Sequence, residues 1–321
     1  MFLTRLSLVL VLLVAAAQTS EAQTCSFSAT DIVLGSVDVL GTSPTTATGT
    51  ISVDCTSFLN LLSSIEVRIH LGEGLGGRSG SLRRMTSVTT ATGLSYNLFK
   101  DAAGTSVFGG DYGTFGGDPM VLSGGSFLSL ATSQRASVPV YARVPAGQAS
   151  VLPGSYQSAF TRDPIDVRVD YRTCQALLLC ANRTATFSFA VRAQVQPDCR
   201  VQADTLDFGT HGMLSGPVDA TSQIRATCTQ GTPYSIGIGY GLSGTSAGTR
   251  AMRNLGGGRI GYNLFRDAAR SQTWGLASEG LAALSSGSGS SQSAFVYGRV
   301  PAQNTPAPGL YSDTVNVVLT Y

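Results

Sequence analysis

The chain is short of charge. Of its 321 residues only 12% are Asp, Glu, Lys or Arg, about half the roughly 25% of an ordinary soluble domain. Lys100 is the only lysine, and the formal net charge is +2. No basic stripe or tail stands out, which argues against a nucleic-acid partner, a polyelectrolyte arm or a coiled coil. Histidine is scarcer still: His70 and His211 stand alone and far apart, too few for a His-activated nucleophile or a metal cluster. Asp31, Asp38, Asp54, Asp163, Asp166 and Asp170 lack the spacing of a calcium loop. No residues form an acid/base pair, so the chain reads as a non-enzyme with no cofactor and no metal. Long apolar runs are missing too. The longest, residues 6–17 (LSLVLVLLVAAA), has twelve residues, too few to cross a bilayer.

That run, preceded by Arg5 and followed by small-residue sites ending at Ala17 and Ala22, has the form of a secretory signal, with cleavage expected before Gln23. Export to an oxidising compartment turns six cysteines into an expected set of disulfides, not redox or zinc sites. Glycine is abundant, 38 of 321. Two glycine patterns, Gly72-x-Gly74-x-x-Gly77 and Gly239-x-Gly241-x-x-Gly244, match a dinucleotide fingerprint. Neither opens an apolar helix, so both read as glycine-rich loops. Asn182-Arg183-Thr184 is a glycosylation sequon of little weight in a bacterial-type secreted protein.

The chain is written twice. Cys25 and Cys55 lie 30 apart, Cys199 and Cys228 lie 29 apart. Arg84-Met85 returns as Ala251-Met252, and Tyr96-Asn97-Leu98-Phe99-Lys100-Asp101 as Tyr262-Asn263-Leu264-Phe265-Arg266-Asp267. Val107-Phe108-Gly109 returns as Thr273-Trp274-Gly275, and Tyr141-Ala142-Arg143-Val144-Pro145-Ala146 as Tyr297-Gly298-Arg299-Val300-Pro301-Ala302. Pro153-Gly154-Ser155-Tyr156 returns as Pro308-Gly309-Leu310-Tyr311, and residues 167–171 (VRVDY) as 317–321 (VVLTY). The order never changes while the offset shrinks from 174 to 150, which means two tandem copies of one domain. Arg143 and Arg299, at equal places, read as scaffold.

Each copy alternates apolar and polar residues with period two, as in Ile65, Val67, Ile69, Leu71 and in Val315, Val317, Leu319, Tyr321. No helical period is convincing. Six or so short strands per copy predict an all-β fold of two tandem immunoglobulin-like sandwiches. The early cysteine pairs, Cys25–Cys55 and Cys199–Cys228, are expected to tie the first strand of each copy to the second. Each would stabilise by roughly 3 kcal/mol. Cys174 and Cys180 remain as the third pair.

Taken together, the early cysteine pair, YNLF[KR]D, the [VW]-[FW]-G step, Y-x-R-V-P-A and the closing P-G-x-Y…Y resemble the spore coat protein U domain family, twice over nearly all of the mature chain. That family includes the subunits of archaic (Csu-type) chaperone–usher pili. The resemblance implies a pilin-like sandwich that lacks its last strand and is completed by a strand from a neighbour. Ala185, Phe187, Phe189, Val191, Ala193 and Val195 are apolar at every second residue, the cleanest strand pattern in the chain. They are expected to complete the first copy in cis. The second copy, whose closing strand reaches Tyr321, is expected to lack a completing strand of its own, and with cleavage before Gln23 only Gln23 and Thr24 would precede Cys25, too short a segment to donate. The expected organisation is a signal peptide at 1–22, an N-terminal adhesin-like unit at 23–183, a completing strand and linker at 184–196, and a C-terminal pilin-like unit at 197–321.

A subunit that accepts a strand but donates none caps an assembly. The expectation is therefore a pilus-tip adhesin, exported through the periplasm to the cell surface and serving biofilm formation. Its partners would be a periplasmic chaperone, an outer-membrane usher, the N-terminal strand of the next subunit, and an abiotic or cell surface. The second copy serves as an internal control for loops that only the first carries. These hold Phe58, Leu59, Leu61 and Leu62, then Tyr112 and Phe115 (with Met120, Val121 and Leu122 nearby), then Leu177, Leu178 and Leu179 between Cys174 and Cys180. Exposed together, they would make a hydrophobic adhesive patch. The alternative is a non-adhesive coat or surface protein of the same family.

Overall fold

A computed structural model of the chain describes residues 24–56, 64–90, 92–112, 115–124, 127–129, 133–175 and 179–321. They form an all-β protein of two sandwiches, with a 3-10 turn at Ala277–Glu279.

The first sandwich contains β1 (Cys25–Ala29), β2 (Ile32–Val37), β3 (Thr45–Thr56), β4 (Ser64–Leu71), β5 (Arg78–Ser79), β6 (Leu82–Ser87) and β7 (Gly93–Phe99). It continues with β8 (Met120–Leu122), β9 (Leu128–Ser129), β10 (Ser133–Val144), β11 (Gly154–Phe160), β12 (Val167–Gln175), β13 (Leu179–Ala185) and β14 (Phe189–Val195). Its larger sheet runs β1-β3-β10-β7-β6-β11-β14-β2, with β5 on β6 and β9 on β10. The smaller sheet runs β13-β12-β4-β8. The second sandwich contains β15 (Cys199–Ala203), β16 (Val218–Cys228), β17 (Pro233–Ile238), β18 (Ala251–Arg253), β19 (Arg259–Gly261), β20 (Asn263–Phe265), β21 (Ala283–Ser286), β22 (Ser291–Val300) and β23 (Val317–Thr320). Its sheets are β15-β16-β22-β20, β21-β17-β23 and β18-β19.

Period-two patterning builds these strands. In β3, Ile51, Val53 and Cys55 point to the core while Ser52 and Asp54 point away, a pleat that favours β-branched residues. In the smaller sheet Val67 and Ile69 of β4 and Val167 and Val169 of β12 face the same core. The three disulfides join directly opposed residues: Cys25–Cys55 links β1 to β3, Cys174–Cys180 links β12 to β13, and Cys199–Cys228 links β15 to β16. In the first sandwich the early pair therefore skips a strand. β2 lies between β1 and β3 in the chain but pairs at the far end of the sheet, because its partner there is β14.

Both copies close around a buried arginine. Arg83 has no exposed surface and donates from Nε to the Gly72 carbonyl (2.7 Å), from Nη1 to Asn97 Oδ1 (2.7 Å), and from Nη2 to the Phe108 (2.7 Å) and Leu71 (3.3 Å) carbonyls. Arg250 does the same work in the second copy. Its Nε donates to Gly239 O (2.8 Å), Nη1 to Ala247 O (3.0 Å), and Nη2 to Ile238 O (2.9 Å) and Trp274 O (2.8 Å). Burial pulls the Arg83 pKa down to about 10, so it stays charged at neutral pH. A buried charge is tolerated only when its donors are satisfied, and here backbone carbonyls do that while tying three segments together. The repeat carries this signal one residue before the Arg84-Met85 and Ala251-Met252 match, and sequence reading missed it.

Replacing the guanidinium strands carbonyls that water cannot reach. Arg83→Met is expected to destabilise the first sandwich by about 3 kcal/mol or more, read from urea unfolding of the full chain. A loss within about 0.5 kcal/mol, the range of an ordinary surface change, contradicts this account.

Candidate functional site

Because the copies are homologous, the same positions can be compared in two states. In the first sandwich β14 lies between two strands. It is antiparallel to β11, with Phe189 opposite Phe160 and Val195 opposite Gly154, and parallel to β2, with Val191 opposite Ile32 and Val195 opposite Val37. Phe187, Phe189, Val191, Ala193 and Val195 are all buried in the core. The Phe189 ring stacks on Phe160 at 4.6 Å between centroids. On the outer face Asp31 accepts from the Ala190 N–H (2.7 Å) and pairs with Arg192, which also donates to Gln157 Oε1 (3.2 Å).

The expected strand at 185–195 is thus in two pieces. Ala185 ends β13, opposite Val169, and residues 186–188 cross from the smaller sheet to the larger one. Thr186 Oγ1 donates to Val167 O (3.1 Å) at that crossing. The period-two pattern runs on unbroken because both sheets face one core, so sequence alone could not mark the break.

In the second sandwich no strand among the described residues occupies this position. By the repeat, Leu206 and Phe208 correspond to Ile32 and Leu34 of β2, and Tyr311, Asp313 and Val315 to Tyr156, Ser158 and Phe160 of β11. Among the described residues, neither wall forms a named strand there. The β11 counterpart keeps one isolated bridge, Arg253 with Ser312. Between the walls lies a groove of about 830 Å³. Its floor is core: Ile224, Ile238, Leu264, Val296 and Val300. Its rims include Leu206 and Phe208 on one side and Tyr311 and Val315 on the other. Ile32 and Leu34 are buried in the first copy, whereas Leu206 and Phe208 are only half-buried.

The floor is polar at one point. Tyr262 donates to Asp313 Oδ2 (2.7 Å), and Asp313 Oδ1 accepts from the Leu242 N–H (2.9 Å), which pins the wall near its middle. Burial, then the Asp313 carboxylate, pushes the Tyr262 phenol up, so it remains a donor. The repeated P-G-x-Y has a structural reason. Tyr156 donates to the Leu152 carbonyl (2.6 Å) and Tyr311 to the Ala307 carbonyl (2.7 Å), a tyrosine corner that sets the chain entering each wall.

Sequence-predicted loop residues fare unequally. Phe58, Leu59, Leu61, Leu62, Leu177 and Leu178 lie outside the described residues. Leu179 begins β13, paired with Gln175. Tyr112 is exposed at 41% and Val121 at 50%. Phe115 is not a surface residue: it is 4% exposed, with the Arg83 guanidinium 3.8 Å from its ring centroid. The buried charge draws the ring inward, where the two stack. Met120 and Leu122 are likewise buried.

The glycine patterns serve packing. Gly74 has φ +76°, and a Cβ there would come within 2.6 Å of Ser158 Oγ. Polypeptide after Gly77 enters β5 and β6, not a helix. His70 is buried in β4, while His211 is exposed and lies 2.6 Å from the Phe208 carbonyl. Arg299 holds Asp219 through two contacts (2.7 and 2.8 Å), whereas Arg143 donates to the Ala103 carbonyl (3.4 Å).

Two copies of one sandwich, one filled by its own chain and one open along the same seam, define a tandem β-sandwich protein. The profile of the Spore Coat Protein U domain matches residues 11–162 and again 185–318, and the chain belongs to that family. Among solved structures, it is similar to the CsuC–CsuE chaperone–tip adhesion subunit pre-assembly complex from archaic chaperone–usher Csu pili of Acinetobacter baumannii. The two share 20% identity over 93% of this chain and 100% of that one, with a TM-score of 0.53. The CupB6 tip adhesin from Pseudomonas aeruginosa aligns at 11% identity over 92% and 94% of the two chains, with a TM-score of 0.35. A comparison with curated protein sequences found no match. The Acinetobacter baumannii neighbour is by its title a chaperone–tip adhesion subunit complex.

If the core of the first sandwich depends on β14, truncating its anchor should cost as much as a core cavity. Phe189→Ala is expected to destabilise that sandwich by about 3–5 kcal/mol, measured by chemical denaturation of the full chain. A cost under about 1 kcal/mol would show that the strand is a loosely held edge.

Proposed function

We propose that this chain is the tip subunit of an archaic chaperone–usher pilus. Its second sandwich takes an extended strand from the next subunit, and its first sandwich meets the surface to be colonised. The observation that carries the reading is the groove of about 830 Å³ lying where the first copy holds β14. An apolar floor with unpaired walls suits a β-strand that adds backbone hydrogen bonds on both sides and alternate side chains below. β14 is the template. Three of its inward residues, Phe189, Val191 and Val195, are each worth about 1.5–3 kcal/mol on burial.

The family profile supports the same reading from another side. Its second match begins at residue 185 and so takes in β14, although that strand pairs in the sheet of the first copy. The chain then resembles two successive subunits fused, the first already complemented by the start of the second. On this reading the units are 23–183 and 197–321, joined by 184–196, behind a signal peptide at 1–22. A free subunit with an open groove needs a periplasmic chaperone to cover it and an outer-membrane usher to hand it on. The similar complex from Acinetobacter baumannii is by its title a chaperone–tip subunit complex. Adhesion and biofilm formation are assigned to Phe58, Leu59, Leu61, Leu62, Tyr112, Leu177, Leu178 and Leu179. Phe115 is excluded by its burial.

Appending a second copy of residues 172–197 behind Tyr321 offers the second sandwich the hairpin and strand the first already has. The melting temperature of that sandwich should rise by roughly 10 °C or more, and the same extension carrying Phe189→Asp and Val191→Asp should give no rise. An unchanged melting temperature with the unaltered extension sinks the acceptor reading. Adhesion is tested separately. Leu177→Ser, Leu178→Ser and Leu179→Ser together should reduce retention of piliated cells on polystyrene several-fold, with piliation unchanged. Equal retention removes this loop from the adhesive surface.

A further inference from the structure

The groove of the second sandwich is not a cast of the seam that β14 fills. In the first copy the β11 wall presents Phe160, Ser158, Tyr156 and Gly154 to Phe189, Val191, Ala193 and Val195 in turn. The second copy has Val315, Asp313, Tyr311 and Gly309 at those places. Val315 for Phe160 changes size only. Asp313 for Ser158 puts a carboxylate into the wall, at the register that Val191 faces in the first copy.

There the contact is quiet. Ser158 is 1% exposed and Val191 fully buried, and Ser158 Oγ accepts from the Gly76 N–H (3.4 Å). A neutral hydroxyl that already has a partner asks nothing of an apolar neighbour. Directly opposed residues of an antiparallel pair keep their side chains on one face, about 4.5–5.5 Å apart. Whatever an incoming strand carries at this register therefore meets Asp313 at close range.

Asp313 asks for more. Its Oδ1 accepts from the Leu242 and Thr314 N–H groups (both 2.9 Å), and its Oδ2 from the Tyr262 hydroxyl (2.7 Å). A carboxylate offers about four acceptor positions, so one on Oδ2 is not filled by these contacts. The residue is half-buried and lines the groove, where water reaches that position. A strand laid in the groove removes the water. A charged acceptor stranded in this way costs more than an ordinary hydrogen bond contributes. A cation is not the answer. Arg250, whose four bonds all go to carbonyls, has its pKa pulled down by burial, and Asp313 is among the charges that counter this. A lysine or arginine on the strand would leave an excess positive charge in an apolar seam.

We infer, on the reading that this groove takes a neighbour's strand, that the strand carries an uncharged hydrogen-bond donor (threonine, serine or asparagine) at the register of Val191, and that Asp313 selects for it. Apolar residues on either side of that position fill the floor, as Phe189, Ala193 and Val195 do in the first copy. The wall thus tells its proper partner from β14 itself, whose Val191 offers no donor. Discrimination of this kind works by leaving a buried polar group unpaired when the wrong partner binds.

The test uses the full mature chain with residues 172–197 appended behind Tyr321, compared with the same extension carrying Val191→Thr in the appended copy. Threonine has the outline of valine with one methyl exchanged for a hydroxyl, so packing is held nearly constant. The second sandwich is expected to melt about 4 °C or more higher with the threonine extension. Val195→Thr in the appended copy, opposite Gly309, should instead lower the melting temperature, since a hydroxyl buried there meets no carboxylate. Asp313→Ser gives the wall the residue of the first copy and should abolish the advantage of threonine. Each comparison sets two extensions on one wall, so any cost of Asp313→Ser to folding cancels. If neither the unaltered nor the Val191→Thr extension raises the melting temperature, the acceptor reading fails and the inference with it. If both raise it equally, or valine raises it more, the groove accepts a strand but Asp313 does not select it. A threonine gain that survives Asp313→Ser, or that appears equally at position 195, overturns the inference as well.

Discussion

The first sandwich depends on one insertion, that of β14 between β11 and β2. Its backbone satisfies a row of hydrogen-bonding groups on each neighbour, and its Phe189, Val191, Ala193 and Val195 fill the seam between the sheets. Backbone groups left unpaired in an apolar setting are costly, so the presence of a strand here decides the state of everything around it. Residues 32–37 form a strand where β14 lies alongside. Their counterparts around Leu206 and Phe208, with no such neighbour, do not. The duplicated sequence thus holds one fold in two states of completion: among the described residues the second copy has no counterpart of β13 or β14.

Much of this was legible beforehand. Period-two runs announced the all-β class, though six or so strands per copy undercounts the fourteen and nine among the described residues, and the expected cysteine pairs match the three disulfides. The completing segment was visible because Phe189, Val191, Ala193 and Val195 sit at alternate positions in a chain whose loops are otherwise glycine-rich. What sequence could not show was where pattern and geometry part. The alternation runs through residues 186–188 although the chain changes sheets there, since both sheets bury the same side. Phe115, read as a surface aromatic from its glycine-rich context, is held inside by Arg83. Burial by a charged neighbour leaves no mark in local hydropathy. Arg83 and Arg250 repeat at equal places, yet their role emerges only when the carbonyls of three separate segments are seen to converge on each.

The economy of charge takes on meaning in this light. Two arginines are spent inside, one per copy, as clips for backbone carbonyls. Others pair with aspartates across strands, as Arg225 with Asp204 and Arg299 with Asp219. Such exposed pairs contribute little stability. One copy carries loop insertions that its sister lacks, and the other carries the open seam.

Whether the second seam is truly open is most directly read by native-state amide hydrogen exchange on the full chain alone. The account predicts that amides at 206–210 and 310–315, except Ser312 with its bridge to Arg253, exchange orders of magnitude faster than those at 32–37 and 154–160, which sit at the same places in the filled copy. Equal protection in the two copies would mean that the second sandwich is closed by its own backbone, and the claim that it awaits a strand would be wrong.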